Sequence, residues 1–141
     1  MNWELNINDS TARGARQFDL SPVICNLYSL QLSPEVAHFG DGELFAKRIV
    51  TGADLAGGCN FIDYVEIPPG VSIGDHRHAD TEEEFYLFLS GAGLMRLEDD
   101  VFEVAAGDLV RNKPNGLHGL TNNGPELIRL FVFELAVRRT R

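Results

Sequence analysis

The stretch Gly70-Val-Ser-Ile-Gly-Asp-His76-Arg-His78-Ala-Asp-Thr-Glu82-Glu83-Glu84-Phe-Tyr86-Leu-Phe88-Leu-Ser-Gly91 holds two of the chain's four histidines, three consecutive glutamates and an apolar run closed by a glycine. One residue separates His76 from His78, and on an extended backbone that spacing puts both imidazoles on one face. Glu84 lies six positions beyond His78, so parity keeps it on that face if the intervening loop preserves the alternation. In the strand expected from Glu84 to Leu89, Glu84, Tyr86 and Phe88 share one side, and Phe85, Leu87 and Leu89 share the other. The uniformly apolar second set is expected to face the packed layer, and the mixed first set to wall a pocket. A third imidazole, His118, follows the turn-rich Asn112-Lys113-Pro114-Asn115-Gly116 and opens another strand. If folding lays that strand beside the one carrying His76 and His78, three imidazoles and one carboxylate converge. Such a set suits one divalent transition metal per chain (Fe, Mn, Ni, Co, Cu or Zn), whereas Mg and Ca favour all-oxygen sites.

Outward from this stretch the pattern is that of short strands. Asn60 to Ile67 reads as a strand, stopped by Pro68-Pro69-Gly70, which cannot continue a ladder. Glu43 to Val50 reads as another, followed by a Gly/Asp loop over 51–58. Leu27 to Leu32 alternates like a strand. Ser33-Pro34-Glu35 has the form of a helix start, an N-cap followed by proline, with Gly40 and Gly42 ending it within two turns. Downstream, Leu94 to Leu97 and Val101 to Val104 flank a turn at Asp99-Asp100, and Leu109-Val110 follows Ala106-Gly107-Asp108. Leu117 to Asn122 precedes the dense turn Asn122-Asn123-Gly124-Pro125, and Leu127 to Val137 forms a long final strand. Strands about 8–12 residues apart, with glycine turns and no long helical period, predict an all-β sandwich or barrel. Residues 1–26 are weakly patterned and are expected to form an N-terminal arm on the domain or on a partner subunit. Residues 27–141 then make a single β-barrel domain, ending in a solvated basic tail from Arg138 to Arg141.

Bulk properties narrow the function. The 141 residues suffice for one domain with its own core. No apolar run approaches the roughly 18 residues of a membrane span, and the N-terminus lacks the basic-then-apolar order of a secretory signal. The net charge of −9 argues against nucleic acid as a partner. Cys25 and Cys59 lack a CxxC context and are expected to be reduced thiols. These features point to a cytoplasmic protein with a small-molecule partner and no membrane association.

The opening stretch resembles the first motif of the cupin superfamily, G(X)5HxH(X)3–4E(X)6G, through Gly70, His76, His78, Glu84 and Gly91. Five residues separate His78 from Glu84 where the motif has three or four. An acid at Glu82 or Glu83 would repair that gap but spoil the six-residue spacing to Gly91, so Glu84 is chosen and Glu83 stays open as an alternative. The second motif, G(X)5PxG(X)2H(X)3N, is similar to Gly107 through Asn122, with Gly107, His118 and Asn122 in place and Pro114 and Gly116 each one position late. Fifteen residues lie between the motifs, as in small single-domain cupins. The resemblance covers about Asn60 to Val137. It implies a double-stranded β-helix, a jelly-roll barrel of six to eight strands, often homodimeric. A metal would be held near one end by His76, His78, Glu84 and His118.

The same resemblance implies a metal-dependent enzyme acting on a small oxygenated metabolite. With Fe the chemistry would be that of a dioxygenase, slightly favoured from the general run of the family. With Zn, Mn or Ni it would be Lewis-acid isomerase, lyase or cyclase chemistry. Tyr86 is then a candidate acid/base, with a core tyrosine as its plain alternative. Phe88, Arg48, Arg96, Phe131 and Phe133 are candidates for the substrate pocket, the arginines as partners of a carboxylate, with packing or solvation as the plain alternatives. Glu82 and Glu83 read as solvated loop acids, and His38 as an ordinary surface or half-buried histidine. The competing readings are a non-catalytic cupin that binds a small molecule or sugar, and a metal-free epimerase-type cupin that would not need three imidazoles.

Overall fold

A computed structural model describes residues 24–138; residues 1–23 and 139–141, and with them most of the expected arm and the end of the basic tail, lie outside the described residues. Ten strands are present among the described residues: β1 (Ser33–Glu35), β2 (Leu44–Thr51), β3 (Cys59–Ile67), β4 (Ser72–Arg77), β5 (Glu82–Ser90), β6 (Ala92–Leu97), β7 (Asp100–Ala105), β8 (Leu109–Asn112), β9 (Leu117–Thr121) and β10 (Ile128–Ala136). They exceed the expected six to eight because short strands join the sheets, β1 with three residues and β8 with four. One sheet has the order β1-β2-β3-β10-β5-β8 and the other β4-β9-β6-β7. Every pairing is antiparallel, giving the all-β architecture expected from the strand pattern and the jelly-roll barrel implied by the cupin resemblance. No helix among the described residues is long and apolar enough to cross a membrane.

Alternation along the strands decides which side chains enter the barrel. On β10, Ile128, Leu130, Val132 and Glu134 are buried, with Phe131 and Phe133 between them on the opposite face. On β5 the buried set is Glu84, Tyr86 and Phe88. These meet Ile73, Met95, Val104 and Leu120 of the other sheet in one core. The expectation for β5 is therefore corrected: Phe85, Leu87 and Leu89 face outward, and the mixed set faces the core. A second apolar cluster covers much of that outer surface. Cys25, Leu27, Leu30 and Leu32 pack there with Ile49, Val50, Tyr64, Leu89 and Phe131, and Phe85 stacks on Phe133 at 4.9 Å. The uniformly apolar face of β5 is thus the outer, covered one, so uniform apolarity did not mark the interior.

The segment before β2 also departs from expectation. Leu27–Ser29 is a 3-10 turn, with the Asn26 side chain accepting from the Tyr28 N–H. Ser33-Pro34-Glu35 pairs with β2 as an edge strand instead of starting a helix. Proline is tolerated there because an outer edge needs no N–H donor. Cys25 and Cys59 are free.

Two bulges re-aim side chains toward one end of the barrel. In the β4–β9 ladder, Ile73 opposes Leu120 and His76 opposes His118, so β4 spends three steps where β9 spends two. The extra residue keeps His76 on the inner face with Ile73, which strict alternation forbids. In the β2–β3 ladder the register shifts between Arg48 and Val50, leaving Arg48 on the inner face with Leu44 and Ala46 while Ile49 and Val50 pack outside. Gly91 sits at φ +81°, and a side chain there would collide with the Leu127 carbonyl. This glycine requirement at the β5–β6 corner gives the motif's closing Gly a physical cause.

Candidate metal centre

Three elements deliver the four candidate ligands. The β4 bulge points His76 inward, His78 follows just beyond the end of β4, and His118 stands directly across the ladder on β9. Glu84 comes from β5 in the opposite sheet. The His76 and His78 Nε2 atoms are 3.1 Å apart, and His118 Nε2 lies 3.0 Å from each of them. Glu84 Oε1 is 3.2 Å from His118 Nε2 and 3.4 Å from His78 Nε2. This group could hold a metal ion.

The hydrogen-bond partners of the rings test that fit. His76 Nδ1 lies 2.7 Å from the Gly74 carbonyl oxygen, which can only accept. His78 Nδ1 faces Glu82 Oε1 at 3.1 Å and Glu134 Oε1 at 3.2 Å. Both Nδ1 atoms must therefore carry hydrogen, and neutral rings then aim Nε2 lone pairs at one another. Lone pairs this close need an electrophile between them, either a proton or a metal cation. Donors about 2.1 Å from one ion and at right angles stand about 3.0 Å apart, which matches the observed triangle of nitrogens. The residues fit the ion.

Without metal, protons supply that charge. The hydrogen bond to Glu84 raises His78 to about 9 despite its burial, whereas burial lowers His76 to about 4. Burial alone would push Glu84 up, but its hydrogen bonds to His118 and His78 outweigh this and hold the carboxyl at about 2.

The other sequence candidates separate into two groups. Tyr86 is buried, its ring 4.9 Å from that of His118, and burial together with the Glu84 carboxylate pushes its phenol well above the usual range. Arg48 and Tyr86 line a cavity of about 130 Å³, with Asp63, Phe61, His38 and Glu84 among the other walls. The Arg48 guanidinium lies 4.0 Å from the Phe61 ring and is clamped by Asp63, Nε to Oδ1 at 2.9 Å and Nη2 to Oδ2 at 3.1 Å. Phe88 is a core residue at 1% exposure. Phe131 and Phe133 are on the outer face of β10 and do not reach the cavity. Arg96 binds Asp75 at 2.8 Å on the surface. Glu83, the alternative acid, turns away to Arg111 at 2.8 Å.

Sequence reasoning missed three participants. His38 stacks on His76 with centroids 3.4 Å apart and planes within 7°. No motif or periodicity signals it, because it belongs to a loop laid onto β4. Glu82 is half-buried against His78 and is not a solvated loop acid. Glu134 was legible: it is an acid at the inward parity of an otherwise apolar strand.

The profile of the cupin domain matches residues 63–134, just over half of the chain and spanning all four residues of the cluster. The chain belongs to the cupin family. Among curated relatives, this cupin is 32% identical over 88 residues to dimethylsulfoniopropionate lyase DddW of Ruegeria pomeroyi, covering 62% of this chain and 56% of that one. It is 40% identical over 58 residues to the uncharacterized protein MJ1618 of Methanocaldococcus jannaschii, covering 41% of this chain and 46% of that one. The cupin thus spans about half the length of the curated relatives it matches. Among solved structures, a predicted oxalate decarboxylase of Thermotoga maritima superposes with a TM-score of 0.77 at 19% identity, covering 81% of this chain and 99% of that one. That similarity shows the shared fold.

Proposed function

We propose that this cupin is a metal-dependent enzyme that performs non-redox lyase or isomerase chemistry on a small oxygenated carboxylate. The observation that carries the reading is the convergence of three imidazole nitrogens on one carboxylate, Glu84, which itself lines a cavity that also holds a tyrosine and a clamped arginine. His76, His78, Glu84 and His118 would hold the ion, which when bound supplies Lewis-acid polarisation of a substrate oxygen. Arg48, fixed by Asp63 and Phe61, keeps Nη1 outside that pair and anchors the substrate carboxylate. Tyr86 offers a hydroxyl proton to the reacting oxygen. Val65, Ile73 and Val132 make the remaining wall apolar and limit water. The cavity admits only a small molecule, and the lyase name of the Ruegeria relative makes dimethylsulfoniopropionate a first compound to try. A dioxygenase is the second reading, because a four-ligand set leaves room on an octahedral ion for two further groups.

A screen of small carboxylates under anaerobic conditions tests the assignment. Turnover without dioxygen is expected; substrate loss that requires and consumes dioxygen would replace it with the dioxygenase reading. Arg48→Ala is expected to raise KM at least about tenfold with a smaller change in kcat, the pattern of lost ground-state binding. An unchanged KM would remove Arg48 from the substrate site.

Metal uptake should also depend on pH. In the metal-free protein, the raised His78 pKa contributes stability below the ordinary value of 6.5, and this is lost as pH rises through about 9. The lowered Glu84 pKa contributes stability above 4.5, lost as pH falls through about 2. Coordination requires the second His78 proton to leave, so metal binding strengthens as pH rises. The increase in melting temperature given by Zn2+ should grow between about pH 6 and about pH 8.5. A constant increase across that interval would contradict the protonated His78.

A further inference from the structure

Glu134 is the acid on the inward face of β10, after Ile128, Leu130 and Val132. It is 5% exposed and lies outside the four converging ligands, in an adjoining group with Glu82 that shares His78 with them. Its register partner on β5 is Glu84, so two buried carboxylates stand opposite each other, an arrangement that is unfavourable unless something lies between them. His78 fills that role with its two ring nitrogens. Nε2 is 3.4 Å from Glu84 Oε1, and Nδ1 is 3.2 Å from Glu134 Oε1. The far side of Glu134 is also held: Asn60 Nδ2 donates to Oε2 at 3.0 Å. Glu82 approaches the same Nδ1 at 3.1 Å from the barrel rim, where the Ala79 N–H donates to it.

We propose that Glu134 is a positioning residue of the metal centre. Braced by Asn60, its carboxylate stands 3.2 Å from His78 Nδ1 beside Glu82, which accepts the Nδ1–H hydrogen bond; its charge reinforces the tautomer that presents Nε2 to the ion and makes that nitrogen a stronger donor. The role rests on the metal-binding reading above and adds a residue that the ligand set does not contain. Folding alone gives no reason for an acid here, because the other inward residues of β10 are apolar and a buried carboxylate is costly unless paired. Acceptors behind metal-bound imidazoles orient the ring and raise its basicity, and their loss costs about 10–100-fold in affinity.

The test is titration of the metal-free full chain with Co2+ against a competing chelator, with the visible absorption of the bound ion recorded. Glu134→Gln is expected to weaken Co2+ binding about 10–100-fold and to shift the absorption bands, and Glu134→Met to do so at least as strongly. Glu83→Gln removes the same charge from β5 but faces Arg111, and is expected to leave affinity and bands unchanged. If Glu134→Gln fails to fold, Asn60→Ala takes its place, with weaker binding and shifted bands expected. Wild-type affinity and bands in the folded variant would overturn the role. An equal loss in Glu83→Gln would also overturn it, by making the effect one of net charge. Failure of the wild-type chain to take up Co2+ would overturn the metal reading and this role with it, whereas uptake that Glu134→Gln leaves intact overturns this role alone.

Discussion

Replacing His118 with alanine is expected to abolish tight metal uptake while leaving the barrel folded. The ring is 1% exposed, and its Nε2 lies 3.0 Å from those of both other histidines. Its removal opens one corner of the donor set and leaves His76, His78 and Glu84. Affinity should fall by more than about 100-fold, since loss of a mere outer partner already costs about 10–100-fold. The void left beside the Tyr86 ring should cost about 2–3 kcal/mol of stability, which a barrel of this size tolerates. In the wild-type protein, metal at about 100 times its Kd adds about 2.7 kcal/mol, or roughly 10 °C in melting temperature; in the variant that increase should vanish. Elemental analysis of protein purified without chelator, and calorimetric titration with Zn2+ or Mn2+, measure both effects. Equal occupancy of wild type and variant would remove His118 from the ligand set. If His76→Ala also kept its metal, the site itself would be misplaced.

Gly74→Ala is expected to have the largest effect of any single added methyl group near the site. A Cβ at Gly74 would collide with the His38 carbonyl oxygen and crowd the Gly40 nitrogen, both of them backbone atoms. No side-chain rotation can relieve that contact. The loop is also pinned: the Gly74 N–H donates to Ala37 O at 3.0 Å, Gly40 N–H to the same oxygen at 2.9 Å, and Ser72 N–H to Asp41 O at 2.9 Å. His38 and Phe39 already occupy left-handed backbone, at φ 50° and 58°, so the loop has little freedom to retreat. Overpacking costs about 1–3 kcal/mol, and a backbone collision belongs at the upper end, roughly 10 °C in melting temperature. The Gly74 carbonyl is the acceptor for His76 Nδ1. Displacing it loosens one ligand, so metal affinity should also fall about tenfold. Gly57→Ala, where a Cβ meets nothing, is the silent control. A melt and a metal titration that match wild type would show that the loop yields more easily than its hydrogen bonds imply.

His76 and His78 share a face because they are two apart, and Glu84 follows at the motif's distance from Gly91, whose positive φ calls for glycine. Asn122 also acquires a physical role: wholly buried, it donates to Ile67 O at 2.8 Å and Glu126 O at 2.7 Å, closing the turn before β10. The β5 faces were misread because the segment from Cys25 to Leu32 covers the outer one, and no local pattern announces a cover supplied from elsewhere in the chain. Phe131 and Phe133 fell with them, since β10 alternates in step with β5. Glu82 reads as a loop acid because nothing local shows that His78 lies beside it.

The sequence by itself determined most of the strands, the glycine at the β5–β6 corner and the residue types of the four candidate ligands. These are local properties, set by a two-residue period and by which residues tolerate a left-handed backbone. Only the tertiary structure decided that β4 lies beside β9 in the register that opposes His76 to His118. The same is true of the bulge that turns His76 inward, the His38 loop stacked on it, and the Glu134–Asn60 brace behind His78. Each depends on contacts between segments far apart in the chain. A one-residue bulge reverses every side chain beyond it, so the aim of the site is fixed by packing across the barrel and not by the spacing of its histidines.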